Sequence, residues 1–116
     1  VNILLDCDNV LADFTEYLLQ LVGSTQVPAD IREYDVFDTL TRIQRLTASM
    51  MLETEVFWGT IPPVPGALEA VETMRAANHR VICVTSPWEA CRGWGNFRRK
   101  WLKREFDIPC KDVRIR

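Results

Sequence analysis

Asp6 and Asp8 flank Cys7 directly after the apolar run Val1-Asn2-Ile3-Leu4-Leu5, and Asn9-Val10 follow. The run predicts a buried strand that ends at the two carboxylates. Side chains alternate along a strand, so Asp6 and Asp8 share one orientation and Cys7 takes the other. Two like-charged acids that close are costly unless a cation sits between them or one holds a proton. A divalent metal facing a phosphate accounts for both. In open parallel α/β sheets, ligands bind outside the carboxyl ends of strands, where this pair falls. An acidic strand-to-turn junction is the competing account, because Asp-x-Asp is common and Asp and Asn favour turns.

Val81-Ile82-Cys83-Val84 gives a second signal, a continuous apolar run that ends in Thr85-Ser86-Pro87. Such a run predicts a strand covered on both faces. Hydroxyls at its carboxyl end, beside backbone N–H groups opening a turn and helix, suit phosphate oxygens. Equally, Thr85 or Ser86 simply caps the helix that follows.

The elements that must position these groups follow from spacing and breakers. Leu11, Phe14, Leu18, Leu21 and Val22 recur at helical intervals, with Gly23 as the stop. Residues 24–38 are turn-rich through Pro28, Asp30, Asp35 and Asp38, and Asp38 is a candidate cap for a helix through Ile43, Leu46 and Met50 to Leu52. The prolines in 57–66 predict an irregular return connection. Ala67 to Ala77 reads as an amphipathic helix with Leu68, Val71 and Met74 inward, and Trp88 to Phe106 as another with Ala90, Trp94, Phe97 and Trp101 on one face. Val113-Arg114-Ile115 reads as a closing strand.

This alternation predicts an α/β fold: a Rossmann-like parallel sheet with flanking helices and a small helical cap inserted after the first strand. The core is expected in 1–14 and 61–116 and the cap in 15–60, which is too short for a core of its own.

With 116 residues the chain is one domain's worth, and its 47 % hydrophobic and 26 % charged residues exclude disorder. Its apolar runs fall short of the roughly 18–20 residues a membrane span needs, so a soluble, cytoplasmic protein with no membrane partner is expected. Cys7, Cys83, Cys91 and Cys110 lack C-x-x-C spacing and are expected to be reduced thiols rather than zinc ligands. Residues 1–80 carry five Lys or Arg against twelve Asp or Glu, and residues 81–116 carry nine against four. The basic third attracts phosphate-bearing ligands or is a solvated helix face. Trp94, Phe97 and Trp101 interleave with Arg98, Arg99, Lys100, Lys103 and Arg104; a helix packed on a sheet accounts for this more simply than a nucleic-acid surface. His79 reads as a surface or capping residue.

Leu4-Leu5-Asp6-Cys7-Asp8-Asn9-Val10-Leu11-Ala12-Asp13-Phe14 resembles the first motif of haloacid dehalogenase-superfamily phosphatases, and Val84-Thr85-Ser86-Pro87 resembles their second. With Pro63-Val64-Pro65-Gly66-Ala67-Leu68, the chain is most similar to the 5′(3′)-deoxyribonucleotidases. The resemblance implies a magnesium-dependent phosphomonoesterase acting on (deoxy)nucleoside monophosphates through an aspartyl-phosphate intermediate. Asp6 would be the nucleophile and Asp8 the acid and base, with Mg2+ held by Asp6 and the backbone carbonyl of Asp8. Thr85 and Ser86 would hold the phosphate. Phe14, Phe57 and Trp58 would line the nucleoside pocket, where flat rings suit base stacking; plain packing between cap and sheet is their alternative.

Asn9 stands where the family more usually has Gly, a mild departure because Asn tolerates left-handed backbone. The family also expects a lysine beyond a later strand and a downstream acidic pair, and the chain is expected to stop short of both. The first strand would then keep an open edge, which invites pairing with a second copy as a homodimer. The alternative function is a catalytically weak or inactive phosphatase-like remnant that binds phosphate or serves as an assembly module.

Overall fold

The structure is a computed structural model that describes residues 1–26 and 33–116, with side chains in the second stretch from Val36 onward. Strand β1 (Asn2–Asp6) runs parallel to β2 (Arg80–Thr85), and β2 runs parallel to β3 (Val113–Ile115). The strand order is β1-β2-β3. Helices α1 (Phe14–Leu21), α2 (Arg42–Met51), α3 (Glu55–Thr60) and α4 (Ala67–Ala76) lie between β1 and β2 in the chain, and α5 (Trp94–Phe106) connects β2 to β3. The protein is therefore α/β, with a Rossmann-like three-stranded parallel sheet flanked by helices. Register sets Asp6 beside Val84 and Thr85 beside Ile115, so the carboxyl ends of the three strands lie together.

The central strand behaves as its sequence predicts: Val81, Ile82 and Cys83 are all buried. β1 does not. It lies at the edge of the sheet, as the expected open edge requires, but it is not buried: its residues alternate between exposed and half-buried, and Leu4 is 64 % exposed. Three consecutive apolar residues do not reveal whether both faces are covered, which is set by distant chain.

Several helix boundaries also shift, each for a local reason. Thr41, not Asp38, caps α2: its hydroxyl accepts from the Gln44 amide at 3.2 Å while the Gln44 side chain accepts from the Thr41 amide at 2.9 Å. This helix buries Ala48 and leaves Ile43, Leu46 and Met50 exposed. The stretch expected to be irregular from Phe57 is helical to Thr60, because the first proline comes only at position 62. Thr54 caps that helix through the Phe57 amide at 3.3 Å. α5 begins at Trp94 rather than Trp88, after Pro87 and after Gly93, which takes φ +81°. In α4, Val71 is buried as expected, whereas Leu68 is exposed. The turn reading at Pro28 and Asp30 lies outside the described residues.

One core joins these parts. Leu18, Leu52 and Phe57 from the inserted segment pack in the same cluster as Val71, Cys83, Trp101 and Phe106. Among the described residues, no helix is long and apolar enough to cross a membrane.

Candidate functional site

Past Asp6 the chain folds into a tight loop. The Cys7 carbonyl accepts from the amides of Val10, Leu11 and Ala12 at 3.2, 2.8 and 2.9 Å. Asn9 closes the loop in the left-handed region at φ 63°, and its amide donates to the Ala12 carbonyl at 2.7 Å. Its side chain and Thr15 bond reciprocally, Asn9 Nδ2 donating to Thr15 Oγ1 at 2.8 Å and Thr15 N donating to Asn9 Oδ1 at 2.9 Å. The Asn9 side chain thus satisfies the start of α1, a task a glycine there could not perform.

Two openings lie at the carboxyl end of the sheet, and Ser86 lines both. The smaller, about 210 Å³, is lined by Leu4, Leu5, Asp6, Val84, Ser86 and Arg116. The larger, about 510 Å³, is lined in part by Asp8, Phe14, Trp58 and Ser86. Asp6 is exposed and its Oδ1 accepts from the Cys7 amide at 2.7 Å. Cys7 is fully buried. A hydrogen bond with Cys83 and then burial push its thiol well above the ordinary value, against the opposing charge of Arg98.

Thr85, at the end of β2, is 2 % exposed, and its hydroxyl has no hydrogen-bond partner among the described residues. An unpaired buried hydroxyl costs about 1–3 kcal/mol, and Thr85 itself lines neither opening. Ser86 is exposed beside it.

The predicted aromatic residues divide. Phe14 and Trp58 stack at 5.8 Å with planes 23° apart and line the larger opening. Phe57 packs edge-on against both, at 5.9 and 5.1 Å, without lining it. Phe37 and Trp88, which the sequence did not single out, stack at 5.9 Å and 13° on the wall of the same opening. Trp88 directly follows Thr85-Ser86-Pro87, the one signal that could have pointed to it. Trp94 and Trp101 are buried, so they offer no stacking face to a nucleic acid.

Arg98 is the largest omission. It sits in the run Arg98-Arg99-Lys100 and reads as a solvated charge, yet it is 2 % exposed. The spacing 94, 98, 101 places it on the buried face with Trp94 and Trp101. Its Nη2 donates to Asp8 Oδ1 at 2.8 Å and its Nη1 to Cys7 Sγ. Desolvation opposes its charge, but Cys7 and Asp8 outweigh that, and its proton affinity rises.

Asp6 and Asp8 supply the hard oxygen donors that magnesium takes, and magnesium is commonly held by one or two carboxylates, waters and substrate phosphate. One Asp8 oxygen is already paired with Arg98, and no group of three acidic, cysteine or histidine side chains forms a metal site among the described residues. Asp6 lines the smaller opening and Asp8 the larger, so a magnesium ion held by this loop would take most of its oxygen donors from water and phosphate. Lys100, Lys103 and Lys111 line neither opening, whereas Arg116 lines the smaller one. His79 sits at the amino end of β2, away from both.

Burial, followed by a hydrogen bond to Glu16 and the charge of Glu16, raises Asp13 from its ordinary 3.8 to about 6. A carboxyl that binds its proton more tightly when folded favours folding at low pH. Its contribution is fully present below about 4 and is lost as pH rises through about 6. The carboxyls of Asp107, held down by Lys103, and Asp112, held down by Arg80, act in the opposite sense and below pH 4. Asp13→Asn is therefore expected to flatten the loss of stability between pH 4 and 7, read from urea midpoints. Parallel profiles for the two proteins would contradict this assignment.

Fold and site together define a Rossmann-like α/β protein whose acidic and hydroxyl-bearing strand ends meet beside an aromatic opening. No protein-family model matches the chain, and no curated protein matches it.

Proposed function

We propose that this protein is a magnesium-dependent phosphomonoesterase of deoxynucleoside monophosphates, in the lineage of the haloacid dehalogenase-superfamily phosphatases. The observation that carries the reading is the buried, unpartnered Thr85 hydroxyl at the strand end next to the Asp6–Asp8 loop. Ser86 adds a second hydroxyl and lines both openings, the smaller with Asp6 and the larger with Asp8.

A phosphate held by Thr85 and Ser86 receives attack from an Asp6 oxygen. The new O–P bond forms as the bond to the nucleoside oxygen breaks, and Asp8 gives that oxygen its proton. Water then attacks the phosphorus, its proton passes to Asp8, and the Asp6 carboxylate is released with inorganic phosphate. Asp6 and the Asp8 backbone carbonyl would hold magnesium, which when bound offsets charge on the phosphoryl group. The opening lined by Phe14, Phe37, Trp58 and Trp88 suits a flat base, because stacking on aromatic faces contributes about 1–3 kcal/mol per base.

Phosphate release from a panel of deoxynucleoside monophosphates, with magnesium and with chelator, tests this reading. Metal-dependent release is expected, with nucleotides preferred over ribose 5-phosphate, which lacks a base. No release by protein shown folded by circular dichroism would overturn the enzyme reading in favour of a phosphate-binding or assembly module.

A further inference from the structure

Asp8 lines the larger opening with 22 % of its side chain exposed, yet one of its oxygens is tied to a fully enclosed cation. The Arg98 guanidinium carbon lies 5.2 Å from the ring centroids of both Trp58 and Trp94. Trp58 belongs to α3, in the inserted segment, whereas Trp94 opens α5. Strand end, inserted helix and crossover helix therefore converge on one planar group. Trp58 and Trp94, themselves 5.9 Å apart and nearly perpendicular at 83°, form a corner around the guanidinium, and its two arms are held by Asp8 Oδ1 and Cys7 Sγ. The second Asp8 oxygen has no hydrogen bond among the described residues and is the one left for the opening.

We propose that Arg98 is a positioning residue that holds Asp8 Oδ1 and thereby presents the other Asp8 oxygen to the leaving group, coupling that alignment to the inserted helix through Trp58. The inference rests on the reading of Asp8 as the acid and base of the reaction. Lysine cannot reproduce the arrangement, since an ammonium is a point charge without two coplanar arms or a face to stack.

Arg98→Lys keeps the charge and separates alignment from electrostatics. A nucleotide has a poor leaving group and needs the Asp8 proton, whereas p-nitrophenolate leaves without one. For Arg98→Lys, kcat on the preferred nucleotide is expected to fall about 10- to 100-fold with KM within about threefold, the scale of a misplaced catalytic group. Single-turnover p-nitrophenol release from p-nitrophenyl phosphate, which reports the first step alone, is expected to fall less than about threefold by the same argument. Equal losses on both substrates, or none on either, would overturn the proposal. Trp94→Phe retains an aromatic face and should give a smaller effect of the same selectivity, which keeps the test in force if Arg98→Lys does not fold. Absence of turnover by the unaltered protein would instead overturn the phosphatase reading and this inference with it, a result distinct from active protein with unselective variants.

Discussion

Asp6→Asn is expected to lower phosphate release by at least about a thousandfold, because removing a nucleophile removes the covalent route rather than slowing it. The substitution is nearly isosteric. Its remaining oxygen can still accept from the Cys7 amide, so the loop after β1 keeps its geometry. Asp6 is exposed and makes no ion pair among the described residues, so stability should change by no more than about 0.5 kcal/mol. Phosphate would still meet Thr85 and Ser86, and substrate binding should survive where turnover does not. Steady-state rates, isothermal titration with the preferred nucleotide and a urea denaturation curve separate these effects. A variant that binds and turns over like the parent would show that Asp6 is not the attacking group.

Trp101→Ala carries the largest expected effect on stability. The indole is 1 % exposed, and its Nε1 donates to the Ile61 carbonyl at 2.8 Å. Its ring also packs on Phe106 at 5.6 Å. Truncating a buried tryptophan costs about 3–5 kcal/mol through lost burial and the cavity left behind. The Ile61 carbonyl loses its donor as well, which adds about 1 kcal/mol or more if it stays dry. Domains of this size are stable by only about 5–15 kcal/mol, so the variant should lie near the edge of folding at room temperature. The position matters because Ile61 begins the connection back from α3 to α4, and Trp101 fastens that connection to α5. Urea unfolding followed by fluorescence of the other tryptophans gives the number. A loss below about 1 kcal/mol would contradict the packing described here.

The strand ends were legible because their chemistry is local. Asp6 and Asp8 close one apolar run, and Thr85 and Ser86 close another. A parallel sheet then brings the two ends together regardless of what intervenes. β2 was legible for the same reason, since a strand buried on both faces spells itself out in consecutive apolar residues. The burial of β1 was misjudged although its open edge was expected, because Ile3-Leu4-Leu5 looks the same whether or not both faces are covered. The aromatic wall divided along that line too. Trp58 was found, whereas Phe37 comes from the short 3-10 helix Glu33–Thr39 and Trp88 from an irregular segment, and no periodicity records their convergence. Arg98 was legible in principle through its spacing with Trp94 and Trp101. Its neighbours Arg99 and Lys100 disguised it, because a charge run normally marks a solvated face. What makes its burial tenable is the combination of Asp8 with two indole faces, an arrangement that exists only once the inserted helix has docked.

Acid-quenched trapping shows whether Asp6 carries the phosphoryl group. The protein would be mixed with a ³²P-labelled deoxynucleoside monophosphate and magnesium, quenched within the first turnover, and digested. Acid-stable label is expected on the peptide that contains Asp6, labile to hydroxylamine as an acyl phosphate should be, and absent from Asp6→Asn. Turnover that leaves no label on the chain and persists in Asp6→Asn would contradict it.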